Sequence, residues 1–277
     1  ETAVIGYRKE DYTCDRVWVT AKDGAQIPLS IVHRKDIDRS IPNPLLLYGY
    51  GAYGITLDPY FSGARISLLD RGIIYVISHI RGGGEMGRQW YENGKFLHKK
   101  NTFNDFISSA EHLIEKGYTS PNLLAISGGS AGGLLIGATI NMKPELFLAA
   151  VADVPFVDVL TTMLDETIPL TTNEWEEWGN PKEKSFFDYM WSYSPYDNVK
   201  SQDYPHLLVT SGLYDPRVQY WEPTKWVARL RATKTDENLL LLKTNMKAGH
   251  GGSSGRYGQI EEIAFSQAWL LSIWNKD

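Results

Sequence analysis

Cysteine is almost missing from this 277-residue chain: Cys14 stands alone, which excludes an intramolecular disulfide and a cysteine-rich metal site and fits a reducing compartment. Long apolar runs are missing too. Nothing approaches the roughly 18 apolar residues of a membrane-spanning helix. The opening ETAVIGYRKEDY carries neither the basic end nor the apolar core of a signal peptide, a trimmed one aside. No basic stripe exists either. With 28 Lys and Arg against 33 Asp and Glu, the formal charge is −5, and nucleic acid is not an expected partner. His, Asp and Glu show no cluster with metal-ligand spacing. Repeats, low-complexity tracts and obvious linkers are also lacking. These absences leave a soluble, cytoplasmic, single-domain protein without membrane or nucleic-acid contacts.

What is present is a large apolar fraction, 43%, arranged in alternating blocks. DRVWVTAKDGAQIPLSIVHRK reads as two strands around the Asp23-Gly24 turn, an opening antiparallel hairpin. PLLLYGY (44–50), GIIYVISHI (72–80), NLLAIS (122–127), LFLAAVADV (146–154), HLLVTSG (206–212) and NLLLLKT (238–244) are short, nearly continuous apolar runs, the pattern of strands covered on both faces. Between them FNDFISSAEHLIEKG, AGGLLIGATINM and EPTKWVARLRATK have helical spacing, and QIEEIAFSQAWLLSIW closes the chain. Strand alternating with helix predicts an α/β fold whose mostly parallel sheet has helices on both faces.

The chemistry starts at NLLAIS-GGSAGG-LLIGATINM. Gly128-Gly129-Ser130-Ala131-Gly132 is G-x-S-x-G between a predicted strand and a predicted helix, the context in which that pattern means a nucleophile elbow. The turn is tight, so its neighbours must be small. The hydroxyl then projects beside a helix N-terminus that favours developing negative charge. A serine needs a base, and the base an orienting acid, both later in the chain on loops leaving strands. Asp215 in HLLVTSG-LYDPRV and His250 in the glycine-rich KAGHGGSSG meet that order. His33, His79, His98 and His112 precede Ser130, and His206 begins a strand. Tyr50, where PLLLYGY enters the loop GAYG, is placed to donate to an oxyanion with the backbone N–H of Ala131; a tyrosine packed under a loop is the open alternative. Gly82-Gly83-Gly84-Glu85-Met86-Gly87 matches G-x-G-x-x-G, but RQWYENGKF follows where an apolar helix should start, so a structural loop is expected. No metal or organic cofactor is expected.

TTNEWEEWGNP (171–181) concentrates Glu174, Glu176 and Glu177 between Trp175 and Trp178. Taken alone, it is either a solvated acidic turn or a mouth for a cation. A guanidinium leaving water needs a carboxylate, and flat aromatics can cover its face.

With Ser130, Asp215 and His250 in place, the chain resembles the catalytic domain of the prolyl oligopeptidase family of serine peptidases. The blocks carrying this are YGYGAYG, DRGIIYVISHIRGGGEMGRQWYENGKF, KKNTFNDF, GGSAGG, DVPFVDVLTTMLDETIPLTTNEWEEWGNP, YSPYDNV and GHGG, most of the chain from about residue 44 onward. The resemblance implies an α/β-hydrolase fold, the triad already named, Tyr50 as oxyanion donor, and cleavage of short peptides after Arg or Lys. Prolyl oligopeptidase stacks substrate proline on a tryptophan; counted back from Gly179, that place belongs to Glu174 here. The resemblance puts Glu174 and Glu176 on the substrate's P1 basic side chain, with Phe156 among the substrate-binding residues. Glu177 is expected to be structural or solvent-facing. Asp58 matches one of two acidic residues for a second basic side chain, or forms an Asp-Pro turn; the other position is Tyr60, which departs from a dibasic pattern. Arg217 matches a binder of substrate backbone, or pairs with a surface acid. Full-length relatives add a β-propeller over the site, so residues 1–16 are expected to be the connection to it and 17–277 the hydrolase domain. A hydrolase of esters or of neutral or prolyl peptides, and a catalytically idle binding module, remain the alternatives.

Overall fold

Short apolar runs can bury both faces only inside a layered sheet, and the computed structural model, which describes residue 4 and residues 6–275, arranges them in that way. The strands are β1 (Tyr12–Thr20), β2 (Gln26–Arg34), β3 (Leu45–Tyr48), β4 (Ile74–Ser78), β5 (Leu124–Gly129), β6 (Ala149–Asp153), β7 (His206–Gly212) and β8 (Leu240–Asn245). Among the described residues they form one sheet in the order β1-β2-β4-β3-β5-β6-β7-β8. β1 and β2 pair antiparallel from Tyr12↔Arg34 to Thr20↔Gln26, and β2 pairs antiparallel with β4; the other pairings are parallel. Of the expected connection 1–16, residues 1–3 and 5 lie outside the described residues, and those from Tyr12 onward already belong to β1.

The helices are α1 (Gly63–Leu69), α2 (Arg88–Glu92), α3 (Lys100–Glu115), α4 (Ala131–Met142), α5 (Val159–Leu164), α6 (Thr171–Trp178), α7 (Lys184–Trp191), α8 (Trp221–Thr233) and α9 (Arg256–Ile273). Alternation along each strand divides the core. Leu45 and Leu47 pack with Phe103 and Phe106 of α3, Leu134 of α4 and Trp226 of α8. Leu46, between them, faces Leu68 of α1 and Trp269 and Leu270 of α9. Helices thus cover both faces. Arg81, after β4, bonds Asp105 of α3 and Asp23 of the hairpin turn, each at 2.6 Å, tying the hairpin to the body.

Parallel strands share a direction, so the loops leaving β3, β5, β6, β7 and β8 emerge at one sheet edge. Those loops carry Tyr50, Ser130, Phe156, Asp215 and His250. The segment α5–α7, placed between β6 and β7, sits over the same edge and brings the acidic stretch with it.

Candidate active site

Ser130 links β5 to α4 with φ 56°, a left-handed conformation that a side chain adopts only under strain. Its N–H donates to the Asp153 carbonyl at 2.8 Å, and its carbonyl accepts the Phe156 N–H at 3.1 Å. Gly128 permits the turn, since a Cβ there would lie 2.5 Å from the Gly132 carbonyl oxygen. Ala131, the first residue of α4, leaves its N–H at the open end of the helix, where no intrahelical acceptor exists. Two more non-glycine residues with positive φ flank the site: Tyr53 at 60° and Val154 at 40°. Strain of this kind persists only where surrounding contacts hold it.

The candidate acid and the candidate base are joined. His250 Nδ1 lies 2.7 Å from Asp215 Oδ2, and the other Asp215 oxygen accepts the Arg217 and Val218 N–H groups at 2.9 Å. Asp215 is therefore fixed from both sides. The Ser130 hydroxyl lies near enough to the Tyr50 hydroxyl to influence it; among the described residues no hydrogen bond joins Ser130 to His250. Burial raises the Tyr50 phenol above its ordinary value, the Ser130 hydroxyl opposes this, Glu177 and Glu174 add to it, and Arg217 offsets it. The phenol consequently stays protonated and able to donate, and four of these neighbours meet within its electrostatic reach.

The acidic stretch is helix α6. Glu174 and Glu177, three residues apart, share a face and both engage Tyr53. The Tyr53 hydroxyl donates to Glu174 Oε2 at 2.7 Å, and Trp178 Nε1 donates to the same oxygen at 3.0 Å. Glu177 Oε1 accepts the Tyr53 N–H at 2.9 Å, and its Oε2 accepts the Tyr91 hydroxyl at 2.5 Å. Burial and the neighbouring Glu174 push the Tyr53 phenol far up. Buried Glu177 is thus a structural anchor of the Tyr53 turn. Glu176, two residues from Glu174, is exposed, and it joins Tyr53, Tyr91, Lys95, Asn173, Glu174 and Glu177 around a cavity of about 250 Å³. Phe156 is buried with its ring 5.3 Å from Trp178, which in turn lies 5.7 Å from Tyr53, making an aromatic wall whose Trp178 and Tyr53 both bond Glu174.

Asp58 and Tyr60 are elsewhere. They line a cavity of about 800 Å³ bordered by His250, Asp153 and α9, apart from the Glu174 cavity. Arg217 is exposed and forms no ion pair among the described residues; its charge reaches Tyr50 instead. The glycine loop after β4 packs under the Tyr50 turn: a Cβ on Gly82 would lie 2.1 Å from the Gly51 carbonyl oxygen.

Sequence reasoning missed Tyr53, Tyr91 and Lys99. The Lys99 ammonium is fully buried 5.1 Å from the Trp178 ring and donates to the Gly51 carbonyl at 2.5 Å and the Gly94 carbonyl at 3.2 Å. Burial lowers its value to about 8. YGYGAYG signals a special turn, yet nothing in its spacing points 121 positions ahead to Glu174.

The profile of the Prolyl oligopeptidase family matches residues 59–277. The chain is 54% identical over 265 residues to Protease 2 of Moraxella lacunata, covering 96% of this chain and 38% of that protein. It is 53% identical over 269 residues to Dipeptidyl aminopeptidase BI of Pseudoxanthomonas mexicana, covering 97% and 37%. Oligopeptidase B from Trypanosoma brucei with covalently bound antipain, in its closed form, is 56% identical with a TM-score of 0.97, over 98% of this chain and 38% of that one. The chain spans less than two-fifths of the length of these relatives.

Proposed function

Since this chain belongs to the prolyl oligopeptidase family, we propose that it is the hydrolase unit of a serine oligopeptidase that cuts short peptides after arginine or lysine. The observation that carries the basic specificity is the Glu174 carboxylate, held by Tyr53 and Trp178 beside the Tyr50–Ser130 pair. A guanidinium entering that cavity meets fixed acceptors and an aromatic wall, so it exchanges water for a charge-assisted bond.

In this reading the Ser130 oxygen bonds to the scissile carbonyl carbon as His250 takes its proton. The oxyanion is held by the Tyr50 hydroxyl and the Ala131 N–H. His250 returns the proton to the leaving amine as the C–N bond breaks, and water then hydrolyses the acyl-serine by the same route. Asp215 keeps the imidazole in the useful tautomer. Arg217, beside Tyr50, is assigned to the substrate backbone. Asp58 belongs to the other cavity and is assigned at most to a second residue of the substrate. In the intact protein, a β-propeller reached through residues 1–16 would cover this edge and admit only short peptides, and the single cysteine suits a reducing, cytoplasmic setting.

A panel of chromogenic arginyl, lysyl, prolyl and neutral acyl substrates, run on the intact protein, tests the reading. Arginyl and lysyl amides should be cleaved at the highest kcat/KM, with labelling of Ser130 by a fluorophosphonate. Preference for prolyl or neutral substrates would overturn the specificity, and no labelling would overturn the peptidase.

A further inference from the structure

One buried carboxyl outside this machinery ties two of its loops together. Glu222 lies in the first turn of α8 and is wholly inaccessible to solvent. Its Oε2 accepts the N–H groups of Val157 and Asp158, both at 3.0 Å, and its Oε1 meets the Thr162 hydroxyl at 2.5 Å. Those amides directly follow Phe156. The segment they belong to opens at Val154, a β-branched residue forced to φ 40°, and its Phe156 N–H holds the Ser130 carbonyl at 3.1 Å. The Glu222 N–H also donates to the Gln219 carbonyl at 3.0 Å, within the turn whose amides cap Asp215. A strained loop bearing a pocket wall needs something to hold it. The loop bearing the triad acid leads straight into the residue that does so.

We propose that Glu222 is a positioning residue that holds the Phe156 wall in register with Ser130, and so sets how well a basic side chain is gripped. The inference rests on the basic-peptide reading above.

Three donors meet the carboxyl, the two amides at Oε2 and the Thr162 hydroxyl at Oε1, and a neutral acid keeps the cradle by accepting the amides on its carbonyl oxygen with its other oxygen still paired to Thr162. The surroundings disfavour a charge there. Asp158 faces it from the same loop, with Oδ2 bonded to Lys225 at 2.5 Å and Oδ1 without a hydrogen-bond partner among the described residues. Asp197 stands behind Asp158, also with an oxygen unpartnered among the described residues, and Tyr196 and Arg229 close that side. Lys225 is a neighbouring cation and is already bonded to Asp158. Burial pushes Glu222 up to about 8, against the three hydrogen bonds and with the Asp158 charge. Ionisation above that pH adds a second anion to the Asp158 neighbourhood and loosens the loop.

The test measures KM and kcat from pH 6 to 10 in the intact protein, for wild type, Glu222→Gln and Glu222→Ala. Arginyl rather than lysyl substrate is used because guanidinium keeps its charge throughout, and a neutral acyl ester serves as control. Glutamine mimics the neutral acid, with oxygen toward the amides and NH2 toward Thr162. The expected results are a wild-type arginyl KM that rises ~5-fold between pH 7 and 9.5, a Gln variant equal to wild type at pH 7 but flat above it, and an Ala variant already raised ~10-fold at pH 7. Ester KM should stay level in all three. An alkaline rise in Glu222→Gln equal to that of wild type overturns the inference, and the Gln variant decides it even where Ala fails to fold. If wild type does not prefer arginine at all, the basic-peptide reading itself has failed, a result separate from either pH profile.

Discussion

Replacing Glu174 by glutamine should reverse the polarity of the pocket as well as remove its charge. Glu174 Oε2 receives two donors, the Tyr53 hydroxyl and Trp178 Nε1–H. A glutamine in the same rotamer must therefore turn its oxygen toward them. Its NH2 then faces the place where a guanidinium donates, and donor meets donor. Glu177 cannot substitute, because its oxygens are taken by the Tyr53 N–H and the Tyr91 hydroxyl. Exposed Glu176 compensates only weakly, since solvent screens it. Losing a hydrogen bond to a charged group is worth about 1.5–3 kcal/mol, and leaving the buried partner unpaired brings the total to about 3 kcal/mol. That corresponds to a ~10²-fold fall in kcat/KM for an arginyl amide. A neutral acyl ester does not use the carboxylate and should change less than ~3-fold. Initial rates on both substrates at one pH, with thermal unfolding as a check on integrity, make the assay. Parallel losses on amide and ester, or an arginyl loss below ~5-fold, would refute the reasoning.

Two further outcomes follow from the same geometry. Tyr50→Phe removes one oxyanion donor and leaves the Ala131 N–H, so kcat should drop ~10²–10³-fold with KM little altered; steady-state rates check this, and a drop confined to KM contradicts it. Lys99→Met should flatten the pH dependence of stability. The native ammonium gives up its proton near 8, whereas the unfolded chain keeps it to about 10.5, so the unfolded state binds more protons between these values and stability climbs with pH across that window. The climb amounts to at most ~3 kcal/mol, and urea midpoints at pH 8 and 10 should diverge in wild type and converge in the variant.

The strand and helix blocks were legible because burial on both faces leaves continuous apolar runs, and each expected strand is present within a few residues. The short helices α5, α6 and α7 were not, because α5 is only six residues long and α6 and α7 mix aromatic and charged residues with no long apolar stripe, and they gain their burial only by lying over the sheet edge. The glycine loop at residues 82–87 is legible in the sequence as a structural loop, but its use as a bed for the Tyr50 turn needed the contact with Gly51 to be seen.

By itself the sequence singled out Ser130 as the candidate nucleophile and the order of its candidate partners. A strand, a crowded turn and a helix are local features, and parallel strands deliver Asp215 and His250 to one edge whatever the packing details. Tertiary structure alone decided which acids face the candidate site. Glu174 and Glu177 share a helix face and grip Tyr53 from across the fold, Glu176 turns outward, and Asp58 lines a different cavity. Such pairings join segments far apart in the chain, so they are fixed by packing and by the need to satisfy buried polar groups, which no local spacing records.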